Sequence, residues 1–355
     1  MQPGPEPAMS WQLHQLGQQG LGRHKDPWDK LNAALFDSNP FFDSDFTDSL
    51  LKYFAEGREW LCVHDSGGVV DGMLIIKPER WGKWSIFLPA QAQIGALLAT
   101  DPGLVVDLVR SLPGLARSLV CFCQDPLYSP FGPLPDKLPL ISVAHGPTIS
   151  VALDGSFEDY WNARPRKLRQ NTGRYARRLR EAGVAMSLAH LDAAEAMPAA
   201  VERYGMLESL GWKGREGTAV HGDNVQGQFY RDVLTAFARR GKASVFELRF
   251  DDTVVAMRLC IASDNMLVML KTAYDERYAE YAPGRLLLHA VLEREFNLRR
   301  FKNIEFYTHA NIDQLAWATQ ERMIPHIKVF RDQATKTAYV WALRLREALR
   351  HRLGR

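Results

Sequence analysis

Residues 274–295, YDERYAEYAPGRLLLHAVLERE, contain the pattern that decides the fold of this chain. The preceding apolar run NMLVMLKTA (265–273) predicts a strand, and the Pro-Gly pair at 283–284 turns the chain into a long amphipathic helix. Pro283 suits the first helical turn, where a missing N–H costs nothing, and Gly284 lets a ligand approach the backbone. Unpaired N–H groups and the positive end of the helix dipole converge there. The sequence therefore predicts an anion-binding helix N-terminus, although an ordinary strand-to-helix connection has the same local pattern.

Length and composition indicate a globular protein of about two domains. The chain has 355 residues, 46% hydrophobic and 24% charged, which is longer than the usual single core. A net charge of +3 gives no general electrostatic reason to expect DNA binding. The N-terminal stretch lacks a signal-peptide pattern, and no window approaches the roughly 20 apolar residues needed to cross a bilayer. We therefore expect a cytoplasmic protein without a transmembrane segment.

The cysteines predict neither a disulfide framework nor a metal site. There are four of them, scattered along the chain, and no second Cys or His pair completes a zinc spacing. In SLVCFCQD (118–125), Cys121 and Cys123 alternate, so both are expected on one face of a strand, packed in the core. We expect no metal.

The order of predicted elements divides the chain into four parts. Residues 1–25 predict a disordered or loosely attached tail, and residues 26–147 predict a mixed α/β unit with a hairpin around Asp-Ser-Gly-Gly. Residues 148–335 begin with the strand TISVAL and continue through helices to three antiparallel strands, the Pro-Gly helix, and a closing strand, short helix and strand. A basic helix, 336–355, ends the chain.

Three motifs follow one another in the second half: FEDYWNARPRKLRQNTGRYARRLREAG (157–183), GWKGREGTA (211–219) and YDERYAEYAPGRLLL (274–288). Together with the element order, they resemble the GNAT acyltransferase superfamily, and most closely its CelD/BcsL-type acetyltransferases, which are associated with bacterial polysaccharide synthesis. The first half resembles a degenerate copy of the same fold, as in FemAB-type tandem GNAT transferases. The resemblance implies an α+β fold of two tandem GNAT-like domains, each a mostly antiparallel mixed sheet flanked by helices.

The resemblance also implies that acyl-CoA, as acetyl-CoA, is the co-substrate and binds around the Pro-Gly helix. The residues expected to bind it are Lys271, Tyr274, Tyr281, Pro283, Gly284, Arg285 and Asn311. The chain departs from the GNAT pyrophosphate loop at Tyr281, where Gln or Arg is usual, and at Leu286, where a small residue is usual. FemAB-type enzymes take aminoacyl-tRNA, so the donor stays open among CoA, an acyl carrier protein and tRNA. Asn311 equally suits a helix cap.

Candidate catalytic residues follow the Pro-Gly helix, in the strand-like run NIEFYTHA (303–310). Alternation predicts Glu305, Tyr307 and His309 on one face, at the end of a strand beside the anion site. Acylation of an amine or hydroxyl needs a base for the nucleophile and an acid for the thiolate, and these residue types supply both. Structural roles remain the alternative for each of them.

Two further segments are candidates for binding the acceptor or another anionic group. Trp212 stands beside Lys213 and Arg215 in the loop GWKGREGTA, and an aromatic platform next to cations suits a sugar ring or an anionic acceptor. Arg166, Lys167 and Arg169 open a helix that is dense in arginine and lacks acidic partners until Glu181. Such a helix predicts an acidic ligand, and a merely solvated basic face is the alternative.

The leading hypothesis is an acyl-CoA-dependent N- or O-acyltransferase that acts on a sugar or polysaccharide precursor by direct attack of the acceptor on the thioester. No Cys or Ser stands in a recognisable nucleophile setting, so a covalent enzyme intermediate is not expected. Two alternatives stay open: a FemAB-type aminoacyl-tRNA-dependent transferase, and a non-catalytic GNAT-like module that binds an anion.

Overall fold

The computed structural model describes residues 10–16, 20–132, 137–210, 220, 224–307 and 309–352. The chain forms two compact units: a terminal unit, Met1–Gly146 together with Met323–Arg355, and a central unit, Pro147–Arg322. The sequence predicts a first boundary at 147/148 and a second domain that extends to residue 335. In the structure the residues after Arg322 belong instead to the terminal unit, because their strand pairs with a strand of the first half.

The terminal unit is a mixed sheet flanked by helices. Its strands are β1 (Ser10–Gln15), β2 (Trp60–Asp65), β3 (Val70–Pro78), β4 (Lys83–Ile86), β5 (Leu97–Ala99), β6 (Ser118–Cys121), the first part of β7 (Leu140–Ala152) and most of β13 (Gln320–Phe330). Its helices are α1 (Lys25–Phe36), α2 (Ser44–Phe54), α3 (Pro102–Ser111) and α10 (Gln333–Arg352). The sheet order β1-β2-β3-β4-β6-β13 is antiparallel except for the parallel pair β4/β6, and β5 pairs with β3.

The core of this unit follows from the alternation and helical spacing of apolar residues. Leu74 and Ile76 of β3 face the same cluster as Val105 and Val109 of α3, all of them at most 2% exposed. Asp101 caps α3 by accepting a hydrogen bond from the Gly103 N–H at 2.6 Å. Burial of these branched side chains is the main stabilising contribution in the unit.

Part of the expected N-terminal tail is ordered. Residues 10–15 form β1, which pairs with β2 along its whole length, although a disordered or loosely attached tail was expected there. Trp11 is 8% exposed, and its indole N–H donates to the Leu104 carbonyl oxygen at 2.9 Å. Leu16 and Leu21 are buried as well, so a few apolar side chains, together with strand pairing, order a segment whose composition is mostly polar.

The two neighbouring cysteines of the first half do not share a face, contrary to the alternation read from the sequence. Strand β6 ends at Cys121, which is fully buried in the core. Cys123 lies beyond the strand, has a φ of 47° and is half-buried. The strand period stops where the backbone enters this left-handed conformation, so the prediction fails at Cys123.

The strands of the central unit also form a mixed arrangement flanked by helices. Its strands are the end of β7, β8 (Met186–Leu191), β9 (Ala243–Phe250), β10 (Thr253–Ala262), β11 (Met266–Tyr274), β12 (Asn303–Glu305) and the start of β13. Its helices are α4 (Phe157–Asn162), α5 (Arg166–Glu181), α6 (Met197–Ser209), α7 (Val225–Ala238), α8 (Pro283–Leu298) and α9 (Ile312–Leu315). The sheet order is β7-β12-β11-β10-β9-β8, with β11/β12 as the parallel pair.

Helix α8 anchors the core of the central unit. Its residues Leu287, Val291 and Leu292 are fully buried at helical spacing, and they pack in one cluster with β10 and β11. Helix α5 packs against α8 through its own buried residues, Leu168 and Leu179. No helix among the described residues is long and apolar enough to cross a membrane.

Candidate active site

Strands β11 and β12 run together over only three positions. They pair in parallel at Met266/Asn303, Leu267/Ile304 and Val268/Glu305, and β12 then ends while β11 continues to Tyr274. Beyond Val268, the described residues offer β11 no strand partner on that side. An extended ligand can pair with a strand edge of this kind, as it can at the edge of any sheet.

A register shift lies at the same place in β11. Leu259 of β10 pairs with Lys271, but Cys260 pairs with Met269, so Leu270 is the extra residue of a bulge. Bulges re-aim the side chains that follow them. After the bulge, Thr272 and Tyr274 are exposed, although Arg258, which pairs with Thr272, is buried. The second half of β11 therefore presents an open surface.

The N-terminus of α8 lies beside this surface. Ala282 has left-handed angles, φ 49° and ψ 57°, and Pro283 then begins the helix without any side-chain cap. Gly284 is half-buried, and a Cβ placed there would meet only Cδ1 of Tyr274, at 3.6 Å. Tyr274 thus links the end of β11 to the helix start. An uncapped helix N-terminus with a glycine on its exposed side favours an anionic ligand.

The departures from the GNAT loop have structural explanations. Leu286 is 2% exposed and packs in the core, so its size does not crowd the exposed side of the helix start. Tyr281 packs edge-on against Phe250, with ring centroids 6.0 Å apart. The helix N-terminus is therefore intact despite both unusual residues.

Helix α9 places a second helix start near the first. The Arg285 Nη2 lies 3.7 Å from Asp313 Oδ2 in the first turn of α9, which connects the starts of the two helices. Asn311 forms a capping box with Gln314: each side chain accepts from the other residue's backbone N–H at 2.9 Å. The side-chain oxygen of Asn311 is thus engaged as a helix cap.

The three candidate catalytic residues do not lie along one strand. Glu305 is 1% exposed and forms a buried ion pair with Arg322 at 2.7 Å, while Asn303 Nδ2 donates to its other oxygen at 2.7 Å. Strand β12 ends at this residue, and Tyr307 has a φ of 47°, which breaks the alternation. Tyr307 is buried with the Arg322 guanidinium 5.5 Å from its ring centroid, whereas His309 is exposed.

The remaining predicted residues divide between this surface and others. Lys271 faces the opposite side of the sheet from Thr272, with its Nζ 5.7 Å from the Tyr230 ring centroid. Arg166 and Lys167 are exposed at the start of α5, and Arg169 is half-buried with its Nε donating to a carbonyl oxygen. The loop residues Trp212, Lys213 and Arg215 lie outside the described residues.

Arg258 is the polar residue of this region that the sequence analysis missed. It is 6% exposed in the middle of β10, its Nη1 contacts the Met269 sulfur, and its Nε has no hydrogen-bond partner among the described residues. Burial lowers the pKa of Arg258 to about 10, because desolvation disfavours the charged form. The available signal was a single arginine inside the apolar run VVAMRLCIA (254–262). No carboxylate of the described part of the chain pairs with Arg258, and a buried cation of this kind is costly, which marks the position as unusual.

Comparison with known proteins identifies part of the chain and its fold. Residues 166–312, less than half of the chain, match the family model described as an acetyltransferase (GNAT) domain. No curated protein matches the sequence.

Solved structures resemble the chain over nearly its whole length. The crystal structure of FemX has a TM-score of 0.58 at 8% identity, over 90% of this chain and 98% of that one. A conserved protein of unknown function from Bacteroides thetaiotaomicron has a TM-score of 0.55 at 9% identity, over 91% and 100%. A C-terminal domain attributed to a lysylphosphatidylglycerol synthetase from Agrobacterium fabrum has a TM-score of 0.51 at 13% identity, over 93% and 96%. At these identities the likeness establishes the fold alone.

The predicted α+β fold class is confirmed: mixed sheets flanked by helices, matching the fold of FemX. The GNAT part of the resemblance is likewise supported by the match over residues 166–312. Residues 166–312 thus match a GNAT domain, and the chain as a whole has a mixed α+β fold like that of FemX.

Proposed function

We propose that this protein transfers an acyl group from acyl-CoA, as acetyl-CoA, to an amine or hydroxyl of a sugar or polysaccharide precursor. The observation that supports the proposal is the separation of β11 from β12 beside the uncapped start of α8. The separation exposes an edge of β11, and the helix start attracts an anion. A CoA thioester matches both features, because it joins a diphosphate to an extended pantetheine amide chain.

In this proposal the donor's diphosphate lies at the backbone of Gly284 and Arg285. The pantetheine chain follows the free edge of β11 as an added strand would, with its amides pairing with the backbone beyond Val268. The thioester then reaches the bulge at Leu270, near the end of β12. Remote binding of the nucleotide thereby positions the reacting carbonyl.

The reaction proceeds by direct attack of the acceptor. The acceptor N–H or O–H loses its proton to a base as the new bond to the carbonyl carbon forms, and the tetrahedral intermediate then expels the CoA thiolate, which takes a proton from an acid. His309 and Tyr307 are the proposed proton carriers. Glu305 fits the role less well, because its carboxylate is held by Arg322 and Asn303. Transfer to a sugar, as in the CelD/BcsL type, rests on the sequence resemblance.

The second candidate is an aminoacyl-tRNA-dependent transferase. It is favoured by the crowded arginines of α5, of which Arg174, Arg177 and Arg178 are exposed. The two candidates differ in the donor, so the donor is what the experiment must identify.

Titration calorimetry with acetyl-CoA and with aminoacyl-tRNA tests the proposal. We expect acetyl-CoA to bind, and we expect G284V to weaken that binding by about tenfold or more, because its branched side chain occupies the approach to the backbone. The neighbouring Tyr274 atom at 3.6 Å allows ordinary contact, so the variant should fold.

The matched control is G173V, at an exposed position of α5 where a Cβ meets nothing within 4 Å. It should leave acetyl-CoA affinity unchanged. Tight binding of tRNA with no detectable binding of acetyl-CoA would reject the leading proposal in favour of the second candidate.

A further inference from the structure

Three potential metal ligands meet in the terminal unit, whereas the residues of the candidate active site belong to the central unit. Cys123 follows β6, His145 lies in β7 and His326 lies in β13. The cysteine sulfur and one nitrogen from each imidazole all lie within 4.8 Å of one another. In the sequence, Cys123 and His145 are 22 positions apart, and His145 and His326 are 181 positions apart, so no local spacing predicts the cluster.

The backbone holds the cysteine in this position. Cys123 has a φ of 47°, a conformation that costs free energy for a residue with a side chain. Its N–H donates to His326 Nδ1 at 3.0 Å, and its carbonyl oxygen accepts from the Gly95 N–H at 3.0 Å. The next residue, Gln124, donates its N–H to the Pro325 carbonyl oxygen at 2.9 Å. Bonds on both sides therefore fix the turn against β13.

These contacts also fix the state of one imidazole. Because His326 Nδ1 accepts a hydrogen bond, its lone pair points toward Cys123 and the ring proton lies on Nε2. A cation bound between the Cys123 sulfur and His326 Nδ1 would coordinate this lone pair. The hydrogen bond from the Cys123 N–H to His326 Nδ1 would then be lost.

Ring packing orients the two histidines. The His145 and His326 rings lie 4.4 Å apart at an angle of 33°, and Phe122 meets the His326 ring edge-on at 5.2 Å. His145 is exposed, whereas Cys123 and His326 are half-buried. The cluster thus opens to solvent on the side of His145, which supplies an entry path and room for a water ligand.

We propose that Cys123, His145 and His326 bind a zinc-type divalent cation, with water as the fourth ligand. A thiolate with two imidazoles is a ligand set that zinc prefers, and three protein ligands leave one tetrahedral position open. Zinc bonds of about 2.0–2.3 Å place the donor atoms of a tetrahedral site about 3.3–3.7 Å apart. The three donor atoms now lie within 4.8 Å of one another, so no pair needs to close by more than about 1.5 Å to reach that spacing.

Binding is an exchange of a proton for a metal ion. The Cys123 thiol gives up its proton as the sulfur–metal bond forms, and the neutral imidazoles bind through lone pairs. Nothing in this step involves the acyl donor, so the metal site stands independently of the proposed acyltransferase activity.

Cobalt titration of the chelator-treated full chain tests the site. We expect Co²⁺ to bind with a Kd of about 1 µM or tighter and with the intense visible bands of tetrahedral cobalt, a sulfur-to-cobalt charge-transfer band, and displacement by Zn²⁺. C123S should abolish the charge-transfer band. H145N should lower affinity by about a hundredfold or more, since loss of a direct ligand exceeds the effect of losing an outer partner.

H145N alters an exposed side chain, so its fold is retained even if C123S or H326N proves unstable. C260A, which changes a buried cysteine of the central unit, is the matched control and should keep the cobalt spectrum. Octahedral cobalt spectra, or a tetrahedral spectrum that survives unchanged in both C123S and H145N, would overturn the proposal.

Discussion

Glu305 shows how a candidate catalytic residue can be engaged structurally. Its carboxylate is buried, paired with Arg322 and hydrogen-bonded to Asn303. Removal of one partner of a buried pair leaves an uncompensated charge, which is strongly destabilising. The residue therefore contributes to the stability of the central unit whatever its part in catalysis.

We predict that E305Q lowers the free energy of unfolding by about 1–3 kcal/mol, because Arg322 keeps an acceptor but loses its counter-charge. Urea unfolding measures the effect. The control is E293Q, a change of the half-exposed Glu293 on α8, which should stay within about 0.5 kcal/mol of the wild type. An E305Q protein of unchanged stability that has lost turnover about a hundredfold would instead identify Glu305 as the base.

His289 is a residue of the central unit whose ionisation should couple to stability. Its ring meets Trp161 edge-on at 4.6 Å and Phe157 at 5.1 Å, and Glu293 lies 3.9 Å away. Burial lowers the pKa of His289 from its ordinary value of 6.5, and Glu293 offsets part of that shift.

The sign of the pH dependence follows from this direction. At pH values between the lowered pKa of His289 in the folded state and 6.5, the unfolded chain binds more protons than the folded chain, so the free energy of unfolding rises with pH. Below this window, the whole destabilising effect of the lowered pKa is present. We predict that the wild type loses more stability than H289Q when pH falls from about 7.5 to 5.5. Chemical unfolding at both pH values measures this, and equal losses in the two proteins would contradict it.

At the scale of elements, a chain of contacts connects the start of the basic helix α5 with the proposed donor site. The Arg164 guanidinium, just before α5, contacts the Trp317 and Ala318 carbonyl oxygens after α9. The first turn of α9 is linked to the start of α8 through Asp313 and Arg285. This chain of contacts places the beginning of α5 closer to the donor site than its position in the sequence suggests.

We predict that R166E/K167E weakens acetyl-CoA binding by about fivefold, as expected for exposed charges that act through water. R177E/R178E, at the other end of α5, is the matched control and should have less effect.

For the wild type, the affinity for acetyl-CoA should fall by less than about tenfold between 50 and 200 mM salt, because few phosphates are contacted. A loss of about a thousandfold or more over that range, measured with tRNA, would indicate a polyanion ligand.

At the scale of the whole molecule, both ends of the chain build one unit. Ile327 and Val329 of β13 are fully buried and pair with β6, which lies some 200 residues earlier in the sequence. Tyr339 of α10 still packs on Phe330, with ring centroids 5.2 Å apart, but every residue from 341 to 350 is exposed.

We predict that a chain ending at Val340 keeps its melting temperature within about 2 °C, because the removed half of α10 buries no side chain that the structure describes. A chain ending at Arg322 should lose cooperative unfolding of the terminal unit, because it lacks the strand partner of β6. Calorimetry on both truncations distinguishes these outcomes. Strong destabilisation by the shorter deletion would mean that the distal part of α10 packs after all.

From the sequence alone, the resemblance to the GNAT superfamily implied the fold class, and local signals predicted the helix start at Pro283. Strand periodicity, the Pro-Gly turn and apolar helical spacing are local signals, and each predicted element from β9 to α8 corresponds to one in the structure. The positions of Gly284 and Arg285 followed from the same signals.

Long-range packing determines features that the periodicity of the sequence does not predict. Left-handed residues end the alternation at Tyr307 and Cys123, and no pattern in a single sequence predicts them where the residue is not glycine. The burial of Glu305 depends on Arg322, and the meeting of Cys123, His145 and His326 depends on strand order, which joins residues far apart in the chain. Local sequence fixes which elements form, whereas long-range packing fixes which side chains meet, because contact across a sheet is set by register and pairing.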